Sequence, residues 1–321
     1  MLIPRRAAVT LSIWTIALTA GVVSAQDFPT KPIRIVTGGV GGNSDALSRL
    51  LAQGISGPLG QQAIVVNYPS GNIPGLTVLK AAPDGYTLLV AGGTLWIGPL
   101  LQKEPPYDPV KDFAPVTLGV TEPAVLVVHP ALPIKSVKEL VALAKARPGE
   151  LNYSSGVAGS QSQLAAELFK YLAGVRINGV PYASGAVRIA EFVGGHTQMS
   201  IDGASAVMPL TKAGKLRALA VGGSKRSALV PGLPTIAESG VPEYESTGKT
   251  GVFAPARTPD TVIKRLNQEM VRFLNLPETK AQLLTMGSEA AGTTAEELGA
   301  MVNAERNRLG KVIKASGIQA Q

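Results

Sequence analysis

At 321 residues, 45% hydrophobic and 16% charged, the chain can bury one or two complete cores and lies outside the composition of disordered polymers. The absence of cysteine excludes disulfides, thiolate nucleophiles, Cys-containing zinc sites and a lipid-modified N-terminal cysteine. The net charge of +8 comes from Lys and Arg scattered along the chain, not from a basic stripe interleaved with aromatics, so nucleic acid is not an expected partner; the charge reads as a solvated surface, the alternative being a mild bias toward anionic ligands.

The first 25 residues read as an export signal. Arg5 and Arg6 precede an apolar stretch from Ala7 to about Ala20, shorter than the roughly 20 residues of a membrane span, and Val23-Ser24-Ala25 is a small-residue cleavage pattern. Cleavage after Ala25 is expected, with the general secretory route preferred; Arg5-Arg6 could also mark twin-arginine export, although Pro4 and Ala7-Ala8 around it are unspecific. The mature chain then starts at Gln26 as a soluble periplasmic protein, its charge lower by the two arginines.

Beyond the signal, the apolar run Ile33 to Val36 predicts a strand that ends in glycines 38, 39, 41 and 42. A helix follows, with Ala46, Leu47, Leu50 and Leu51 on one face and Asn43 or Ser44 as its cap. Strands are expected at 63–66 and 86–91, with a short helix near 74–81 between them. This alternation argues for a parallel sheet with helices on both faces. Two β-rich runs, Val116–Val120 and Ala124–Val128, have no helix between them and predict a crossing to a second lobe. There the alternation resumes: Ser136 and Glu139 form a capping box, strands are expected near 151–153, 177–182, 198–202 and 216–222, and a helix over 164–173. Gly251 to Ala254 is expected to carry the chain back, and Thr258-Pro259 and Thr294 with Glu297 to start closing helices. The expected division is 26–122 with 252–321 as lobe 1 and 123–251 as lobe 2.

Two loops carry binding chemistry. Gly38, Gly39, Val40, Gly41, Gly42, Asn43, Ser44 and Asp45 lie between a strand end and a helix start, where bare backbone and unpaired N–H groups suit an anion; the other reading is a tight turn with no ligand. The loop is neither a dinucleotide fingerprint, because Ser44 stands where glycine or alanine is needed, nor a Walker loop, because no Lys follows. In the second lobe Ser154, Ser155, Gly156, Gly159, Ser160, Gln161 and Ser162 repeat the arrangement, although Ser160 with Gln163 is also a simple capping box. Asp202, at the end of an apolar strand, could bond a ligand donor or tie down backbone N–H groups. Catalysis has little support, since His129 and His196 are the only histidines and stand far apart with no ligand spacing; no metal or cofactor is expected.

With these motifs in view, the mature chain resembles the solute receptors of tripartite tricarboxylate transporters, the TctC or Bug family. The resemblance rests on PTKPIRIV at 29–36, KAAPDGYT at 80–87, YDPVKDFAP at 107–115, KSVKEL at 135–140, KAGKLRALA at 212–220, PTIAESG at 234–240 and GKVIK at 310–314. It implies an α/β, type II periplasmic-binding-protein fold, two doubly wound lobes joined by two crossing strands, with a small organic anion such as a mono- or dicarboxylate held in the cleft. It also implies delivery to membrane transporter subunits; a receptor that serves a sensor or has no transporter partner, or an enzyme on the same fold, are the other readings, and the receptor is expected to be a monomer. The family's binding loops fall on residues 38–45, on Gly93 and Thr94, on residues 154–163, on Tyr182 and Ala183, and on Asp202. The sequence departs from the family pattern at Thr37-Gly38-Gly39-Val40, where an aromatic and prolines are usual, in the shorter segment Asn67–Lys80, and at Gly203, where asparagine is common.

Overall fold

A computed structural model describes residues 28–40, 43–68, 71–156, 159–182 and 185–317. The expected signal peptide, together with Gly41, Gly42 and Ala183, lies outside the described residues. In chain order the elements are β1 (Ile33–Thr37), α1 (Asn43–Leu59), β2 (Ala63–Asn67), α2 (Ile73–Leu79), β3 (Thr87–Gly92), α3 (Thr94–Ile97), β4 (Phe113–Val128), α4 (Val137–Ala146), β5 (Asn152–Ser155) and α5 (Gln161–Ala173). They continue as β6 (Asn178–Pro181), α6 (Gly185–Val193), β7 (Met199–Gly203), α7 (Ala204–Lys212), β8 (Arg217–Val221), β9 (Thr247–Pro255), α8 (Asp260–Leu274), α9 (Pro277–Thr285), β10 (Glu289–Ala290) and α10 (Ala295–Ser316).

The strands run β2-β1-β3-β9-β4-β7-β5-β6, with β8 and β10 also on β4. Parallel pairs flank each end, β1 with β2 and β3, and β5 with β6 and β7, as βαβ crossovers require. Alternate residues go to opposite faces: Ile33, Ile35, Leu88 and Val90 pack under α1 and α8, while Val36 and Leu89 join the core with Trp96 and Leu298 on the other side. In the second lobe Val125 and Val127 face Phe192 and Val207, and Leu126 and Val128 face Tyr153 and Phe169. Both lobes are therefore doubly wound, in the type II periplasmic-binding-protein arrangement.

The two β-rich runs are one strand. The first part of β4 pairs with β9 as far as Pro123, opposite Thr247, and from Ala124 onward β4 pairs with β7 and β8. The return differs from expectation: the chain re-enters the first sheet at Thr247, ahead of Val252, because all of β9 is hydrogen-bonded to β4 and its middle also to β3.

The helix starts divide as well. At α10 the capping box is complete, Thr294 Oγ1 accepting from Glu297 N at 3.1 Å and the Glu297 carboxylate accepting from Thr294 N at 2.8 Å. At α4, Ser136 Oγ accepts from Glu139 N, but the Glu139 carboxylate reaches back one residue further, to Lys135 N. Thr258 does not cap α8; its hydroxyl donates to Pro255 O at 2.7 Å, and Pro259 holds the N-cap position. Instead α8 is anchored by its apolar stripe, Ile263, Leu266, Met270 and Leu274, each worth roughly 1.5–3 kcal/mol on full burial.

Candidate functional site

A cleft of about 440 Å³ opens between the lobes at the carboxyl ends of β1 and β3, where open α/β sheets place ligands. Gly38 and Gly39 at the end of β1, Asn43 and Ser44 opening α1, and Gly93 and Thr94 after β3 form one wall. Gly159 and Gln161 come from the second lobe. These eight were expected from the sequence. The other expected residues stand elsewhere: Val40 is 76% exposed, and Asp45 is buried with its carboxylate on Asn67 Nδ2 at 2.8 Å and Arg49 at 3.0 Å. Ser154, Ser155, Gly156, Ser160, Ser162, Tyr182 and Asp202 do not reach the cleft.

The second loop is largely satisfied by its own chain. Ser160 Oγ accepts from Gln163 N at 3.4 Å, Ser162 Oγ from Gly156 N at 3.0 Å, and Gln163 Oε1 from Gly159 N at 2.7 Å. Tyr182 N donates to Ser155 O at 2.9 Å. Gly159 is at φ +79°, and a Cβ on it would meet the Leu101 side chain at 2.3 Å, so here the loop lies directly on the first lobe.

Asp202 follows neither reading offered by the sequence. Its carboxylate is bonded by Arg188 Nη1, by Arg188 Nη2 at 3.0 Å and by Ser200 Oγ at 3.1 Å, a buried ion pair across α6 and β7. Desolvation lowers the Arg188 pKa, but a guanidinium starts so high that it keeps its charge at neutral pH. Among the described residues, Arg188 Nε and the nearby Ser154 Oγ are buried without a hydrogen-bond partner. Sequence reasoning missed Arg188 because a lone Arg in Ala-Val-Arg-Ile-Ala looks like an exposed helix position; only the fold brings it to Asp202.

The remaining lining was also missed. The returning segment Glu245–Thr250 crosses the cleft, and α10 contributes Glu305 and Arg308. Lys249 pairs with Glu305 at 3.3 Å and Glu245 at 3.8 Å, and Arg308 with Glu245 at 3.4 Å and Glu305 at 4.0 Å. The Glu245–Lys249 and Glu305–Arg308 spacings were visible as a signal, although on their own they read as surface pairs. Trp96 Nε1 donates to Glu305 Oε2 at 2.9 Å. Tyr107 edges against Phe113, and burial pushes its hydroxyl up to about 12, so it stays protonated as a donor. Glu122, from β4, completes the lining.

The model of the family described as "Tripartite tricarboxylate transporter family receptor" matches residues 47–318. This chain belongs to that family. The TctC match is supported by Protein BugT of Bordetella pertussis, 34% identical over 307 residues, 93% of this chain and 94% of that protein. Among solved TctC-like structures, R. palustris Rpa4515 with adipate is 36% identical with a TM-score of 0.79, covering 92% of this chain and all of that one. MatC from Rhodopseudomonas palustris with bound malate is 28% identical with a TM-score of 0.75, covering 89% of this chain and all of that one. As a TctC-family chain, it has the architecture of a solute-binding receptor, with its cleft where the lobes meet.

Proposed function

We propose that the protein is an exported periplasmic receptor that binds a small carboxylate in the interlobe cleft, does not transform it, and passes it to the membrane subunits of a tripartite tricarboxylate-type transporter. The observation that carries this reading is the first wall of the cleft. Gly38, Gly39, Asn43 and Ser44 bring the start of a 17-residue helix to the cavity, and Tyr107 and Thr94 add hydroxyl donors. Family membership and the adipate and malate of the two R. palustris proteins support the ligand class. Among the described residues no helix is long and apolar enough to cross a membrane, in keeping with a receptor that acts beside its transporter.

A thermal-shift screen of mono- and dicarboxylates, with neutral amides and sugars as controls, tests the ligand class. A true ligand at a hundredfold excess over its Kd stabilises the fold by about 2.7 kcal/mol. A shift given only by neutral or cationic compounds would overturn the carboxylate reading. N-terminal sequencing of the periplasmic fraction checks export, with Gln26 as the expected first residue.

A further inference from the structure

Lys249, Arg308, Glu245 and Glu305 pair among themselves, so two cations and two acids of the lining cancel. Glu122 is left over. It is 7% exposed and, among the described residues, is bonded only by neutral donors. Asn43 Nδ2, at the opening of α1, donates to Oε2 at 2.6 Å; Ser205 N, in the first turn of α7, donates to Oε1 at 3.3 Å, and Ser205 Oγ donates to the same oxygen. The carboxylate thus lies between the starts of two helices, one in each lobe, where partial positive charge would otherwise draw a ligand anion. Gly203 makes the room: a Cβ there would stand 2.5 Å from Glu122 Oε1.

We propose that Glu122 determines ligand specificity: it fills the anion seat between α1 and α7 with the protein's own carboxylate, and so selects a carboxylate whose far end donates hydrogen bonds, an amino or hydroxy monocarboxylate, over a plain dicarboxylate. The proposal rests on the carboxylate reading above. One ligand carboxylate keeps Gly38, Gly39, Thr94 and Tyr107. A second would face Glu122 with, among the described lining residues, no uncommitted cation between them, a like-charge contact in a partly desolvated site. An ammonium or hydroxyl instead has a place to donate, because a carboxylate offers about four acceptor positions and three are taken.

Calorimetry on the mature protein with length-matched pairs decides this: succinate against 4-aminobutanoate, and adipate against 6-aminohexanoate. The wild type should prefer the amino acid of the better-fitting pair by at least about tenfold, and Glu122→Gln should abolish or reverse that preference. If Glu122→Gln does not fold, Gly203→Ala, whose methyl displaces the carboxylate, should move the preference the same way. A wild type that prefers the dicarboxylate, a preference unchanged in the variant, or no binding of any probe overturns the role of Glu122. The first two outcomes leave the carboxylate reading standing. If butylamine, which lacks a carboxylate, binds as tightly as 4-aminobutanoate and loses affinity in Glu122→Gln, Glu122 keeps its role and the carboxylate reading fails.

Discussion

The two helix-start loops look alike in sequence and behave differently in the fold. Before α1, Gly38, Gly39 and Ser44 line the cleft and the Asn43 side chain is the one committed to the chain's own Glu122, whereas before α5 Ser160, Ser162 and Gln163 are spent on neighbouring N–H groups and the cleft receives Gly159 and Gln161. A helix start can hold an anion only if its donors are not already taken by its own chain. By this criterion the second lobe holds its internal structure with the residues that the first lobe leaves facing the ligand.

The contrast is tested most strongly at Arg188. If the polar groups behind the second loop are structural, Arg188→Ala leaves Asp202 as an unpaired buried charge and should cost about 3–5 kcal/mol. A thermal melt of the ligand-free protein should then fall by roughly 6–20 °C. An unchanged melt would mean that Asp202 is solvated and available to the cleft. Gly159→Val comes next. Positive φ and contact with Leu101 should cost about 1–3 kcal/mol and weaken binding of the best ligand, because the loop could no longer rest on the first lobe. The smallest effects come from a matched pair. Ser162→Ala removes the acceptor of Gly156 N and should lower stability by about 1 kcal/mol with ligand affinity unchanged. Ser44→Ala should do the reverse, lowering affinity by a few-fold with the melt unmoved. If both serines changed affinity equally, the distinction between the loops would be lost.

The sequence made the architecture legible because periodicity and caps are local. The strand starting at Ile33, the α10 box at Thr294 and the helix over 164–173 need only their neighbours to be recognised. Pro123 hid the continuity of β4 by interrupting its apolar pattern; in the fold it stands where β4 passes from β9 to β7, the point at which a missing N–H costs least. The glycine-loop part of the cleft was legible, as Gly38, Gly39 and Gly93 with the residues that follow them. The charged part was not, because Glu122, Lys249 and Glu305 converge from three distant segments, and no spacing encodes such a meeting. Asp202 was visible as an acid at the end of an apolar strand, but its partner was not, since α6 had to be placed before Arg188 could be.

The continuity of β4 also has a mechanical consequence. If one lobe rotates against the other about the crossing strands, atoms far from the axis sweep long arcs and atoms on it barely move. Glu122 stands immediately before Pro123, the last β4 residue paired with β9, while Asn43 and Ser205 sit on opposite arms. In such a rotation its carboxylate would stay near the axis while Asn43 and Ser205 moved with their own lobes, so the two hydrogen bonds to Glu122 would be the ones strained by opening.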